Sequence, residues 1–170
     1  MTMADENRRR KVMFYGEYDR ALDPQCRISL PSEWRSREGE TELVMIPAPG
    51  RALVLMPEET LAGFFEKLQD ESIANPKIQM AFAFLGSQAR VCRCDKQGRL
   101  PLDRKKLESV GISSQVKMIG AITHIRLCAP ENWQVPGDEE TVAGYLGDIR
   151  SVGGEAGGLA GILSSILGGR

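Results

Sequence analysis

Asp23-Pro24-Gln25-Cys26-Arg27-Ile28-Ser29-Leu30 and Asp95-Lys96-Gln97-Gly98-Arg99-Leu100-Pro101-Leu102 are two versions of one phrase, their aspartates 72 positions apart. Each sets an acidic residue and an arginine four positions apart across a turn. Each then alternates apolar residues, Ile28 and Leu30 or Leu100 and Leu102, the pattern of a hairpin loop entering a strand. A single Asp-x-x-x-Arg carries little information, but Asp, Gln and Arg recur here in register. Both copies also close with an apolar run ended by Pro and Glu, at Pro57-Glu58 and Pro130-Glu131. The closing offset is 73, so the second copy has gained one residue between its motif and its closing run. The chain is an internal duplication, and two copies of one loop present two similar surfaces to one partner.

Outward from the motifs, strands are suggested at about 12–22, 27–30, 43–46 and 52–56, and again at 90–94, 99–102, 116–120 and 124–128. A short helix follows each motif: 32–37, stopped by Gly39, and 104–110, stopped by Gly111. Asp103 stands where the first copy has Pro31 and is itself a good cap for the second of these helices. Two amphipathic helices lie between the copies. One begins after Pro57 and repeats Leu61, Phe64, Phe65 and Leu68; the other begins at Asn75-Pro76 and repeats Ile78, Ala81, Phe82 and Leu85. These stripes are expected to pack on the chain's own sheet or on the next subunit.

Composition bounds the function. The chain has 170 residues, 42% of them hydrophobic, enough for a core in one compact domain or two small joined ones. No apolar run approaches the ~20 residues of a membrane span, and no apolar stretch follows the charged N-terminus, so neither anchor nor signal peptide is expected and the cytoplasm is the default compartment. Cys26, Cys92, Cys94 and Cys128 lack the spacing of a zinc ribbon or a Cys-x-x-Cys pair. Cys92 and Cys94 are expected on one strand face, as small apolar residues in a reduced core. His124 is the only histidine, which removes most nucleophilic triads and histidine metal clusters. No phosphate loop or nucleophile elbow is found, so an enzyme is the weakest of the function classes.

The net charge of −1 argues at first against a nucleic-acid protein. Its distribution changes that reading. Residues 1–130 carry 20 Lys and Arg against 17 Asp and Glu, whereas residues 131–170 carry 2 against 6. The acidic balance belongs to the tail, which also holds 10 of the 18 glycines. Such glycine density predicts no stable isolated structure, although Leu159, Ile162, Leu163, Ile166 and Leu167 fall at helical spacing and could dock on a neighbour. At the other end, Arg8-Arg9-Arg10-Lys11 reads either as an arm lying along phosphates or as a solvated leader.

Met13-Phe-Tyr-Gly-Glu-Tyr18, Leu22-Asp-x-x-x-Arg27-Ile-Ser-Leu-Pro31 and Asp95-Lys-Gln-Gly-Arg99 together resemble the MraZ family of bacterial transcriptional regulators, over about residues 12–134. The resemblance implies an α+β, β-rich fold of two tandem swapped-hairpin SpoVT/AbrB-like modules forming one pseudo-two-fold unit, joined by two helices. It divides the chain into a basic arm (1–11), a first module (12–58), linking helices (59–87), a second module (88–134) and a Gly-rich acidic tail (135–170). It further implies a ring-like homo-oligomer binding double-stranded DNA at direct repeats in the promoter of the division and cell-wall gene cluster, with a nucleoid-associated location. No cofactor, metal, membrane or small-molecule substrate is implied. The sequence departs from the family at Cys26, where glycine is usual. If that turn needs a positive φ, cysteine there costs about 1 kcal/mol or more of strain. Loop one is then expected to differ in shape from loop two, and Cys26→Gly to stabilise the fold.

The residues that would meet DNA follow from the loops. An arginine on a hairpin can donate two hydrogen bonds to guanine O6 and N7, a contact worth about 1–3 kcal/mol of discrimination. Arg27 and Arg99 are the candidates, and the resemblance associates the motif arginine with DNA binding. Lys96, in loop two only, and Arg20 and Arg35, flanking loop one, are candidate phosphate contacts. Asp23, Asp95 and Gly98 are read as loop-structuring residues. A competing reading has Asp23 pair with Arg27, and Asp95 with Arg99, to hold the loops; the two roles can coexist. The alternative to a DNA-binding regulator is an oligomeric scaffold that has kept the fold and lost operator binding.

Overall fold

The computed structural model describes residues 11–37, 39–66, 69, 74–135 and 137–154. In chain order the elements are β1 (Glu17–Ala21), β2 (Arg27–Ser29), β3 (Glu42–Ala48), β4 (Ala52–Met56), α1 (Glu58–Glu66), α2 (Pro76–Gln88), β5 (Arg90–Arg93), β6 (Arg99–Pro101), α3 (Arg104–Ser109), β7 (Gln115–Gly120), β8 (Ile125–Cys128) and α4 (Glu139–Gly154). The fold is α+β: one six-stranded antiparallel sheet, one two-stranded ribbon and four α-helices among the described residues.

The sheet order is β1-β7-β8-β4-β3-β5, and read from either edge it gives corresponding strands of the two sequence copies. The pairings cross between copies. β1 pairs with β7, β5 with β3, and the two closing strands β4 and β8 meet at the centre. β2 and β6 form the separate ribbon, whose middle pair is Ile28 opposite Leu100. Those two residues are 72 positions apart, the offset of the duplication.

Side-chain alternation explains why this sheet is covered on both faces. Along β3, Leu43 and Met45 enter one cluster while Val44 and Ile46 enter another; along β4, Leu53 and Leu55 separate in the same way from Val54 and Met56. The larger cluster lies between sheet and ribbon and includes Phe14, Ile28, Trp34, Leu100, Leu107 and Met118. Each such side chain contributes about 1.5–3 kcal/mol of hydrophobic stabilisation. The ribbon therefore has one buried face, fixed by Ile28 and Leu100, and one face turned out.

On the other side of the sheet, Leu61 and Phe64 of α1 pack against Val44, Ile46, Val54 and Met56. Phe65 meets Phe82 of α2 edge to face, with ring centroids 4.7 Å apart. Leu61, Phe64, Phe65, Phe82 and Leu85 of the expected stripes thus pack on their own chain. Leu68 lies outside the described residues. Asn75 caps α2, its side chain accepting from Lys77 N–H at 3.1 Å ahead of Pro76.

Three sequence expectations are corrected. The first strand starts at Glu17 rather than 12, because Gly16 takes φ 85° and Phe14 makes an isolated bridge to Ile122 instead. The segment after motif one is a single 3-10 turn, Ser32–Trp34, not a helix to 37. Trp34 is buried there, its indole N–H donating to the Tyr15 carbonyl at 3.1 Å, and Arg35 is already extended. The tail, expected to lack stable structure, forms α4 over Glu139–Gly154. Asp138 begins it by accepting from the Thr141 N–H at 2.7 Å, and Glu139 and Glu140 favour the helix N-terminus, offsetting its glycines. The helical spacing from Leu159 to Leu167 and most of the basic arm, residues 1–10, lie outside the described residues. By contrast Asp103 caps α3 as expected, accepting from Lys106 N–H at 3.1 Å, and Gly111 closes it at φ 79°.

Candidate nucleic-acid interface

Each motif loop is organised by its aspartate. In loop one, Asp23 Oδ1 accepts from the backbone N–H of Gln25 and of Arg27, both at 2.9 Å. In loop two, Asp95 Oδ1 accepts from Gln97 and Arg99 N–H, also at 2.9 Å. The second carboxylate oxygen then takes the arginine: Arg27 Nε donates to Asp23 Oδ2 at 2.6 Å and Arg99 Nε to Asp95 Oδ2 at 2.7 Å. Main-chain bonds close each turn, from Cys26 N–H to Asp23 O at 2.9 Å and from Gly98 N–H to Asp95 O at 3.0 Å. An Asx turn and a charge-assisted pair are thereby made by one side chain.

These bonds act on the acidity of both carboxyls. Burial works against ionisation at Asp23, but the Arg27 amide and guanidinium and the Gln25 amide outweigh it and hold the carboxyl below its ordinary range. At Asp95 the Arg99 amide leads, opposed by burial and reinforced by the Arg99 guanidinium and the Gln97 amide.

Cys26 adopts φ 62° and Gly98 φ 77°. The turn does need a left-handed residue, so the strain expected at Cys26 is present. The expected difference in loop shape is absent, since the two hydrogen-bond sets agree within about 0.1 Å. The difference lies in what covers each turn. The Arg35 guanidinium lies over Gly98, where an added Cβ would stand 2.0 Å from Arg35 Cζ. At loop one the Cys26 side chain is itself buried, in the cluster that holds Leu107, the residue 72 positions beyond Arg35.

The ribbon brings the arginines together. Arg27 opposes Pro101 and Ser29 opposes Arg99, so all four share the face opposite buried Ile28 and Leu100. Arg27 Nη1 reaches within 3.8 Å of Asp95 Oδ2 across the ribbon. Arg27 and Arg99 side chains are 24% and 38% exposed, so neither is lost to the core. Among the described residues, no hydrogen bond is made by the terminal nitrogens of Arg99.

The other candidates divide. Lys96 is exposed beside loop two. Arg20 lies over the Tyr18 ring at 5.1 Å and donates from Nε to Ser29 O at 3.1 Å, so it borders the ribbon. Arg35 is half-buried, with Nε and Nη2 donating to Leu30 O at 3.0 and 2.6 Å, and it stands beside loop two rather than loop one. Linear flanking misassigned its neighbour because the ribbon crosses the copies.

The same crossing hid two residues. Leu102 N–H donates to Cys26 O at 2.9 Å, which starts α3, and with it exposed Arg104 and Lys105, against loop one. The run Arg104-Lys105-Lys106 was the visible signal, but only strand pairing shows which loop it serves. Cys92 is buried and Cys94 packs half-buried on the same cluster, as their alternation predicts. Burial pushes both thiols up to about 11. Among the described residues no group of three or more His, Cys, Asp or Glu is placed to hold a metal ion, and no helix is long and apolar enough to cross a membrane.

A family profile described as "MraZ protein, putative antitoxin-like" matches residues 13–82. A protein of Clostridium acetobutylicum named transcriptional regulator MraZ is 31% identical over 121 residues, covering 71% of this chain and 84% of the relative. Its namesake in Heliobacterium modesticaldum is 30% identical over 121 residues, with the same coverage. In Corynebacterium jeikeium the protein of that name is 26% identical over 144 residues and is covered in full, against 79% of this chain. On the relatives' identity and coverage, the chain belongs to the MraZ family.

Proposed function

We propose that this protein is a sequence-specific DNA-binding transcriptional regulator whose reading surface is the outer face of the β2–β6 ribbon. The observation that carries the reading is the paired placement of Arg27 and Arg99 on that face, each with Nε engaged by its own loop aspartate. A guanidinium held by Nε leaves its two terminal nitrogens to donate, the fork that suits guanine O6 and N7, although Arg27 Nη1 also faces Asp95 Oδ2 at 3.8 Å. Loop support and base reading are then successive uses of one side chain. Arg20 and Lys96 supply phosphate contacts at the margins, and Arg35 acts chiefly by holding loop two over Gly98.

The exchange of edge strands between the copies supports reading them as two swapped-hairpin SpoVT/AbrB-like modules in one pseudo-two-fold unit. One ribbon offers few contacts, each modest and salt-sensitive. A ring-like homo-oligomer placing several ribbons on direct repeats about one helical turn, ~10 bp, apart would multiply the affinity. Its target in this reading is the promoter of the division and cell-wall gene cluster, and its location the nucleoid in the cytoplasm. The scaffold alternative draws on Cys26, the near-neutral net charge and the added tail; the first of these is weakened, because Cys26 leaves loop one in the same hydrogen-bond frame as loop two. An enzyme reading draws nothing from the relatives, which are named transcriptional regulators.

The test is binding to duplex DNA from upstream of the protein's own gene, against a shuffled duplex, at two salt concentrations. The expected result is preference for the upstream duplex, reduced about 10-fold or more by Arg27→Ala or Arg99→Ala with assembly intact. Equal, weak binding to both duplexes, erased by salt, would refute the regulator reading in favour of the scaffold.

A further inference from the structure

We infer that Arg104 and Lys105 are phosphate-contacting residues that complete the DNA face beside loop one, supplying from the second half of the chain a counterpart to the Lys96 of loop two. The inference rests on the regulator reading above and deepens it.

Loop two carries its own cation, Lys96, at the position where loop one has Pro24. Loop one receives a substitute through the ribbon. Arg27 pairs with Pro101, Leu102 N–H is bonded to Cys26 O, and α3 begins two residues later. Arg104 and Lys105 occupy its first two positions and are exposed. The nearby cations are committed elsewhere: Lys106 to Gln88, and Arg90 to Asp103 at 3.7 Å. Among the described residues, the side chains of Arg104 and Lys105 make no ion pair or hydrogen bond. Burial raises the Cys26 thiol, and the charge of Arg104 pulls it back, so that charge acts on the loop itself; Asp103, Asp23 and Glu108 oppose it.

The corresponding positions beside loop two are Ser32 and Glu33, so the arrangement is one-sided. Glu33 is bonded by the Tyr18 hydroxyl and by Ser32 Oγ, at 3.2 Å for the latter, which engages both carboxylate oxygens. Loop one is thus flanked by two available cations, and loop two by Lys96, by an engaged acid and by Arg35, whose guanidinium is committed to Leu30 O. A backbone contact made in this way adds affinity without sequence preference and releases counterions, so its signature is in the salt dependence.

The experiment compares wild type, Arg104→Ala/Lys105→Ala and the charge-conserving Arg104→Lys/Lys105→Arg by titrating each full-length protein into the upstream and shuffled duplexes across a salt series. The alanine pair is expected to weaken binding to both duplexes by a similar factor and to lower the slope of log affinity against log salt by about 1 per cation lost from each bound subunit. The ratio between duplexes should stay at the wild-type value, and the charge-conserving pair should restore the slope. Wild-type preference with an unchanged slope in the alanine pair would overturn this assignment alone. A slope that falls in both variants would overturn it as well, because the loss would then follow helix geometry rather than charge. Absence of preference in the wild type would overturn the regulator reading and this inference together.

Discussion

Loop one and loop two share a hydrogen-bond frame and differ in the residue at its tightest point. Cys26 and Gly98 both sit at positive φ, yet only the glycine is crowded from outside, by the Arg35 guanidinium. A side chain at 98 would have to displace the Arg35 guanidinium from its bonds to Leu30 O, while the side chain at 26 is part of the core. The duplicated loops have therefore kept the conformation and changed how it is supported: a bare turn clamped by an arginine in one, a strained turn filled by a thiol in the other. Conformational freedom explains a glycine only together with the space around it.

The comparison breaks first at Gly98. Gly98→Cys introduces the residue that loop one tolerates, but adds both left-handed strain and collision with Arg35, and should destabilise the fold by about 2 kcal/mol or more by urea unfolding. A cost below about 1 kcal/mol would mean that Arg35 moves freely and that the clamp has no force. For function, Arg99→Ala should remove about 1–3 kcal/mol of discrimination between upstream and shuffled duplexes. The same change at Arg27 should cost less, since Arg27 is the less exposed and is shared between Asp23 and Asp95. An equal loss from both would make the loops equivalent readers.

The carboxylates sharpen the comparison through pH. Both are held below the ordinary 3.8, so each contributes stability that is fully present above that value and is lost as pH falls through the depressed folded value. The stability gap between wild type and Asp23→Asn/Asp95→Asn should thus be constant near neutrality and close below pH 3.8. A gap that stayed open in acid would assign the effect to shape rather than charge. The smallest effect is expected for Cys26→Gly. Relief of strain, about 1 kcal/mol, is set against a more flexible unfolded chain, 0.5–1 kcal/mol, and loss of a buried thiol. The change should fall within about 1 kcal/mol of zero rather than stabilise the fold, because the side chain it removes is buried.

Much of this was legible in the chain because the decisive signals are local and periodic. Apolar runs ended by Pro and Glu in Ala52–Met56 and Ile125–Cys128 marked the closing strands, Asn75-Pro76 and Asp103 marked helix starts, and the repeated Asp, Gln and Arg marked the loops. What stayed hidden depends on pairings across the duplication. Arg35 was assigned to loop one by proximity in sequence, whereas the ribbon delivers it to loop two. Arg104 was read only as a helix residue for the same reason. The length of the segment after Ser32 was misjudged because Trp34 is fixed by Tyr15, Phe14 and Tyr18, partners 16 to 20 residues earlier. Helix α4 was missed because composition averaged over the tail concealed a cap at Asp138.

The central claim is that the ribbon arginines read guanine, and a double-mutant cycle tests it most directly. Arg99→Ala is combined with replacement of individual operator guanines by 7-deazaguanine, which lacks the N7 acceptor, and the affinity of the assembled protein is measured at fixed salt. The account predicts a coupling of about 1 kcal/mol or more at one guanine per repeat, so that the base change costs nothing further once Arg99 is gone. Additive losses at every guanine would contradict it and leave Arg99 as a residue of the loop alone.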